Sequence, residues 1–347
     1  MAQKKILMVS LGSIGKRHLR NTRTLLPDAQ IAVYRQHTST SEVPEGADIL
    51  LTSLEDAIAF APDAVLVSSP ASEHIACAQP FVEKDIPLFL EKPLAESSEH
   101  IAGFLKAAKA SKGFAMVGYV LRFLPALHAL RALIAEGKIG ALRSAHIQVG
   151  QYLPDWRPDS DYRQGVSAQK KLGGGALLEL SHELDYTSWL FGLPDSVQCL
   201  SGNVSDLEMD VEDVAHLLLG YGGAEPKQVI VQLDFLQRVA HMGVQVIGAE
   251  ATLQADLIKE KIWLYSPEKP DGELLDTPRS ASGNEVYMRQ FDFFFAQAFD
   301  DYTPQFEESK HFEHYASIDA AADVLRLVDE AKRANTSGMR LPFKGAV

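Results

Sequence analysis

The first 120 residues are constrained most by one rhythm, in which short unbroken apolar runs alternate with stretches of helical periodicity. The runs are Ile6–Val9, Ile31–Tyr34, Ala64–Val67, Leu88–Leu90 and Phe114–Tyr119. A strand that is apolar at every position must be covered on both faces. Runs of this kind separated by helices therefore predict a parallel sheet with helices on each side. Helices are expected over about Lys16–Leu26, after Thr52 and Glu55 at capping-box spacing, after Pro70 with Pro80 kinking or splitting the segment, and over Ser98–Lys109.

Beyond about Arg122 the pattern changes. A helix over Pro125–Glu136 leads to longer alternating segments at Arg143–Tyr152, Val214–Tyr221, Gln228–Phe235 and Val244–Leu257. Alternation joined by turns predicts a large, mostly antiparallel sheet with one face open. Turns are expected at 267–277, and helices over Glu285–Phe299 and Ile318–Arg333. The chain thus reads as an α/β domain over 1–121 and an α+β domain over 122–347, the last helix packing back on the first domain. At 347 residues each part can bury its own core.

The net charge is −13, which argues against nucleic acid or an anionic membrane as a partner of the whole chain. Two cysteines, Cys77 and Cys199, build neither a disulfide framework nor a CxxC metal site, and point to a reducing, cytoplasmic setting. No apolar run approaches the roughly 18 residues of a membrane span, and the amino-terminal run is too short for a signal peptide.

Candidate chemistry begins where the first run ends, at Ser10-Leu11-Gly12-Ser13-Ile14-Gly15. Gly12 and Gly15 fit the second and third glycines of GxGxxG, while Ser10 holds the first position. Such a turn brings free backbone N–H groups and a helix dipole to a pyrophosphate. The acidic residue expected about 20 positions later is missing. Arg35 stands at the second strand's end, followed by His37, Thr38, Ser39, Thr40 and Ser41. Arg and hydroxyls suit a 2′-phosphate, which favours NADP over NAD; a solvated strand-end Arg35 is the plainer alternative. Glu91-Lys92-Pro93 follows the fourth run, where ligands of open α/β sheets bind, and burial there would lower the lysine pKa toward proton exchange; a lysine that snorkels to solvent is the plainer alternative. The second copy, Glu268-Lys269-Pro270, sits among turn residues and needs no chemistry.

Gly173-Gly174-Gly175 opens an apolar helical stretch through Tyr186 that Gly192 stops. Glu179, His182 and Tyr186 fall on one stripe, and Asp185 lies three residues past His182. The pattern allows a general base, a buried histidine satisfied by Asp185, or a metal pair, which the lack of HExxH or a Cys cluster disfavours. Trp156, Arg157 and their neighbours form a loop that could stack on a sugar and bind an anion, or simply be solvated. Tyr265 and Lys269 match YxxxK, but Pro267 and Pro270 exclude the helix that would align them.

Taken in order, these motifs resemble the glucose–fructose oxidoreductase / inositol dehydrogenase (Gfo/Idh/MocA) family. The residues that carry the resemblance are Gly12-Ser13-Ile14-Gly15-Lys16-Arg17-His18, Ser69-Pro70 with His74, Glu91-Lys92-Pro93, Tyr119 with Arg122-Phe123, and the glycine triplet with His182 and Asp185. The resemblance implies an amino-terminal Rossmann domain, a carboxyl-terminal domain whose sheet mediates homodimers or homotetramers, and NAD(P)-linked oxidation or reduction of a sugar, cyclitol or nucleotide sugar. It gives Lys92 and His182 the catalytic positions. It gives Gly12, Ser13, Ile14, Gly15, Arg35, Ser69, Pro70, His74, Glu91 and Lys92 to the dinucleotide, and Tyr119, Arg122, Trp156, Arg157, Glu179 and Asp185 to the substrate. A cis Lys92–Pro93 bond is also implied. Two departures stand out: Ser10 in place of glycine, and Leu178 four residues before His182, where an Asp is usual. A non-catalytic dinucleotide sensor on the same fold is the alternative.

Overall fold

The computed structural model describes residues 3–36, 41–310 and 315–345. The chain divides into two compact units, Met1–Val120 with Ser282–Ala322, and Leu121–Ala281 with Asp323–Val347. The first unit thus takes in a later segment of the chain, Ser282–Ala322, beside its amino-terminal part.

The first unit begins β1 (Lys5–Val9), α1 (Ser13–Leu25), β2 (Gln30–Tyr34), β3 (Ile49–Leu51), α2 (Leu54–Ala59) and β4 (Ala64–Val67). It continues α3 (His74–Val82), β5 (Leu88–Leu90), α4 (Ala102–Ala110) and β6 (Ala115–Val117). All six strands pair in parallel, in the order β3-β2-β1-β4-β5-β6. Chain direction across the sheet reverses between β1 and β4, which opens a crevice beyond their carboxyl ends. Every residue of β4 and β5 is buried, as expected for strands covered on both faces. Three local expectations differ. Ser53, not Thr52, caps α2, its hydroxyl oxygen accepting from the Asp56 N–H at 3.0 Å. Pro80 falls in the last turn of α3, so the helix runs unsplit to Val82. β3 is an added edge strand of three half-buried residues, too short for a periodic signal.

The second unit holds α5 (Pro125–Ala135), β7 (Leu142–Gly150), α6 (Ala176–Glu179), α7 (His182–Phe191), β8 (Ser196–Gly202), β9 (Val214–Tyr221) and β10 (Lys227–Asp234). β11 (His241–Gly248), β12 (Thr252–Asp256), β13 (Lys261–Ser266) and β14 (Lys269–Leu274) follow. The expected single strand over Val244–Leu257 is two, β11 and β12, folded back at Ala249–Ala251. At that turn the Gly248 N–H donates to the Ala251 carbonyl at 2.9 Å. The expected turns at 267–277 shrink to Pro267-Glu268, and Lys269 and Pro270 open an edge strand, where a missing N–H is tolerated. The expected helix through Tyr186 breaks at Leu180-Ser181, so Glu179 lies on α6 while His182 and Tyr186 lie on α7.

The chain closes with α8 (Glu285–Ala298), α9 (Ile318–Ser337) and β15 (Leu341–Pro342). α8 belongs wholly to the first unit, and the last helix, α9, shares it through its start, Ile318–Ala322. Phe291, Phe293, Phe294 and Phe295 of α8 are all buried, and their ring face meets α1, with His18 4.7 Å from Phe291. The nine-stranded sheet of the second unit runs β14-β13-β12-β11-β7-β10-β9-β8-β15, antiparallel except where β7 meets β10. Ala215, Leu217 and Leu219 of β9 face the core, while Leu218 and its cross-strand neighbour Ile230 remain exposed on the other face.

Candidate active site

β1 delivers the chain to Ser10, which adopts φ +68°, a left-handed conformation that glycine takes without cost. The residue at the first glycine position thus keeps the glycine geometry despite its side chain. Its N–H donates to the Tyr34 carbonyl at 2.9 Å. A Cβ on Gly12 would meet nothing within 4 Å, whereas one on Gly15 would lie 2.6 Å from Ser68 Oγ and 3.1 Å from the Ser10 carbonyl oxygen. Gly12 therefore leaves an open approach to the first turn of α1, and Gly15 lets α1 seat on the sheet. α1 begins with no side-chain cap, so its leading N–H groups face that approach.

Beyond β1 and β4 lies a cavity of about 350 Å³ lined by Ser10, Leu11, Gly12, Tyr34, Arg35, Ser69, Pro70, Glu73 and Cys77. Arg35 is thus at the cavity wall. His37 to Thr40 lie outside the described residues. Tyr34, Glu73 and Cys77 escaped the sequence reading because no motif marks them; only the strand order brings them to one wall. Burial pushes the Cys77 thiol up, Glu73 adds to the effect, and the Ser69 hydroxyl opposes it.

Glu91, Lys92 and Pro93 follow β5, and the Lys92–Pro93 bond is cis. Glu91 turns inward. One carboxylate oxygen lies 2.6 Å from His18 Nε2, and the other accepts the Lys92 N–H at 3.1 Å. A Cβ on Gly118 would come within 3.0 Å of the same carboxylate, so that position must stay small. His74, 1% exposed, sets Nδ1 2.8 Å from the Pro93 carbonyl oxygen and Nε2 2.8 Å from the Ser69 carbonyl oxygen. Burial lowers the His74 pKa, against the pull of those two carbonyls. Glu91 and His74 both spend side-chain polar atoms on protein groups. Lys92 is half-buried.

In the second unit Gly175, at φ +102°, turns the chain into α6, and its missing Cβ makes room for the Glu212 carboxylate. Glu212 caps α6, its side chain accepting from the Leu177 N–H and its backbone carbonyl from the Ala176 N–H, both at 3.0 Å. His182 begins α7 and is half-buried. Asp185 is fully engaged elsewhere: Arg122 donates from Nε and Nη2 to its two oxygens, each at 2.8 Å, and both residues are buried. Arg122 and Asp185 thereby form a buried brace, both Asp185 oxygens accepting from the one guanidinium. Tyr119, 1% exposed, is likewise packed inside. Glu179 accepts the Ser167 hydroxyl at 2.7 Å. Trp156 packs edge-on against Phe235 and donates to the Gln151 carbonyl at 3.3 Å, while Arg157 is exposed. Lys269 pairs with Glu273 on the outer edge of the sheet. Among the described residues no cluster of His, Cys, Asp or Glu could hold a metal, and no helix is long and apolar enough to cross a membrane.

A six-stranded parallel sheet with a glycine turn at its switch point, joined to a large mostly antiparallel sheet, defines a dinucleotide-binding α/β protein with a second α+β unit. Comparison with known families makes this specific. Residues 4–119 match the oxidoreductase family with an NAD-binding Rossmann fold, and residues 127–254 match the GFO/IDH/MocA carboxyl-terminal domain. The chain belongs to the GFO/IDH/MocA family. Among curated relatives, 2,7-anhydro-N-acetylneuraminate hydratase of Escherichia coli is 30% identical over 174 residues, 50% of this chain and 42% of the relative. Inositol 2-dehydrogenase of Acidothermus cellulolyticus is 27% identical over 198 residues, 54% and 53% respectively. The matches thus span about half the length of these relatives. Two solved structures share the fold. The WlbA dehydrogenase of Bordetella pertussis, in complex with NADH and UDP-GlcNAcA, superposes with a TM-score of 0.76 at 17% identity, covering 99% of this chain and 100% of that one. An inositol dehydrogenase homologue of Azotobacter vinelandii with NAD+ gives 0.79 at 16%, covering 98% and 97%.

Cys77 offers a direct probe of the cavity. Iodoacetamide should label it slowly at neutral pH, because its thiolate is scarce, and saturating NADH should slow labelling further. Peptide mass spectrometry reads the result, with buried Cys199 as the internal reference. Labelling of Cys77 that ignores NADH would place the dinucleotide elsewhere.

Proposed function

We propose that this protein is an NAD(P)-dependent oxidoreductase that moves hydride between a nicotinamide and a secondary alcohol or ketone of a sugar, cyclitol or nucleotide sugar. The observation that carries the reading is the first unit's switch point. An uncapped α1 start, an open Gly12 and a cavity at the strand ends fit a dinucleotide, and Lys92 stands two residues past the neighbouring strand β5. The names of the relatives supply the substrate class.

When bound, the nicotinamide supplies the hydride acceptor or donor. In the oxidative direction the chain's own residues handle the proton. His182 takes it from the reacting hydroxyl as general base, and Lys92 donates a hydrogen bond that orients the same oxygen. The Arg122–Asp185 pair supports the helix that begins at His182. General-base help is worth about 10²–10⁴-fold. Turnover in His182→Ala should fall by that order while NADH still binds. Lys92→Ala should cost at least as much, and Lys269→Ala should cost nothing. A screen of sugars and nucleotide sugars, read by nicotinamide absorbance and by product mass, supplies the substrate; product mass is needed because one relative is named a hydratase. Full turnover in His182→Ala would remove its role. Dinucleotide binding with no turnover across the panel would favour the sensor reading.

The same proposal assigns the cofactor to NADP through Arg35 at the cavity wall. Losing a charge-assisted contact to the 2′-phosphate should weaken NADPH on the order of tenfold in Arg35→Ala and leave NADH unchanged. NADH binding far tighter than NADPH in the unaltered protein would contradict this; Glu73 on the same cavity wall is the group that would produce that result.

A second copy of the chain is the proposed partner of the open sheet face, where Leu200, Leu218 and Ile230 are exposed on adjacent strands. The substitution pair Leu218→Glu, Ile230→Lys should shift sedimentation from oligomer to monomer. An unaltered protein that sediments as a monomer would dispose of the idea.

A further inference from the structure

His74 joins two pieces of backbone that are far apart in the chain. Its Nε2 meets the carbonyl of Ser69, a residue of the cavity wall, and its Nδ1 meets the carbonyl of Pro93, the residue after Lys92. The two carbonyls are 24 residues apart in the chain and are spanned by one buried ring at the start of α3. On the far side of Lys92, the Glu91 carboxylate, held by His18, accepts the Lys92 N–H. Lys92 is therefore fixed from both ends, and the brace on its Pro93 side runs to the cavity.

We propose that His74 is a positioning residue that couples occupation of the dinucleotide cavity to the placement of the Lys92 ammonium. The inference rests on the reading that Lys92 acts on the substrate. Its physical basis is the rigidity of an aromatic ring. A displacement of the Ser69-Pro70 wall passes through the ring to Pro93 with no rotatable bond between the two nitrogens. A hydrogen bond at both ends takes the two N–H groups of an imidazolium; a neutral ring donates to one carbonyl and meets the other by contact alone. The charged groups that act on the ring are Glu91 and Lys92.

The two ends can be cut separately. A carboxamide carries one donor group, and its reach decides which carbonyl it meets. Asparagine places its NH₂ near the Nδ1 position and keeps the Pro93 contact, whereas glutamine places it near Nε2 and keeps the Ser69 contact. The readouts are the NADH dissociation constant, by nicotinamide fluorescence, and the protection of the Lys92 amine from acetic anhydride by saturating NADH, by peptide mass spectrometry. His74→Asn should weaken NADH by about tenfold, hold kcat at saturating NADH within about twofold, and lose Lys92 protection, because a relay cut at either end transmits nothing. His74→Gln should hold NADH within about twofold, abolish Lys92 protection, and lower kcat by tenfold or more on whichever sugar the screen identifies. A purely structural histidine would give two variants that fail alike, and that result overturns the proposal, as does no change in either. Should neither variant fold, the unaltered protein still decides: Lys92 acetylation insensitive to NADH refutes the coupling. Full kcat in Lys92→Ala would instead sink the functional reading while leaving the labelling results to stand or fall alone.

Discussion

The seating of α1 against the sheet is the contact on which the rest of the first unit depends. Gly15 allows it, because any Cβ there would strike Ser68 and the Ser10 carbonyl. With α1 seated, its first turn points past the end of β1, and its buried side carries His18 onto Glu91 and the rings of α8. One helix placement thereby sets both the opening for a phosphate and the support beneath Lys92. The left-handed Ser10 has the same origin: the chain must leave β1 sharply to enter α1 at that distance. A non-glycine residue there costs roughly 1–3 kcal/mol, which surrounding structure has to offset.

The second unit solves a similar problem with charge rather than with glycine alone. α6 starts on a backbone turn whose empty Cβ position is filled by the Glu212 carboxylate, and α7 is tied to the segment after Leu121 by Arg122 and Asp185. A bidentate pair this deep is weak evidence for stability, yet removal of one partner would strand a buried charge at a cost of about 3–5 kcal/mol. Its value here is directional, since it fixes the helix that His182 begins. The guanidiniums of Arg122 and Arg131 lie 5.9 and 5.0 Å from the Trp189 ring, which extends the same support along α7.

Much of the fold could be read because its strands are chemically unambiguous. β1, β4 and β5 are apolar at nearly every position since both faces are covered, and so short an apolar run between helices fits little but a buried strand. β9 was equally plain from its alternation. Elements were lost where the local signal was short or continuous across a turn. β3 has three residues, and the apolar alternation of β11 continues into β12 with only Ala249–Ala251 between them. The break at Leu180-Ser181 carries neither Gly nor Pro, so nothing local announces it. In the site, the legible part was local: Gly12, Gly15 and the Glu91-Lys92-Pro93 turn at a strand end. What could not be read was pairing over distance. Arg122 with Asp185 spans 63 residues and His18 with Glu91 spans 73, and neither pairing has a local signal. Tyr34, Glu73 and Cys77 share a wall only because β1, β2 and β4 are neighbours in the sheet.

In the proposed reaction the Lys92 amine and the His182 imidazole serve one carbinol. A crystal structure of the ternary complex, with nicotinamide dinucleotide and a sugar that the enzyme turns over, tests this most directly. Lys92 Nζ and one ring nitrogen of His182 should each lie about 2.6–3.2 Å from the same substrate oxygen, with the carbon bearing it over the nicotinamide. A bound sugar whose reacting oxygen meets neither nitrogen, or a dinucleotide lying away from the first turn of α1, would contradict it.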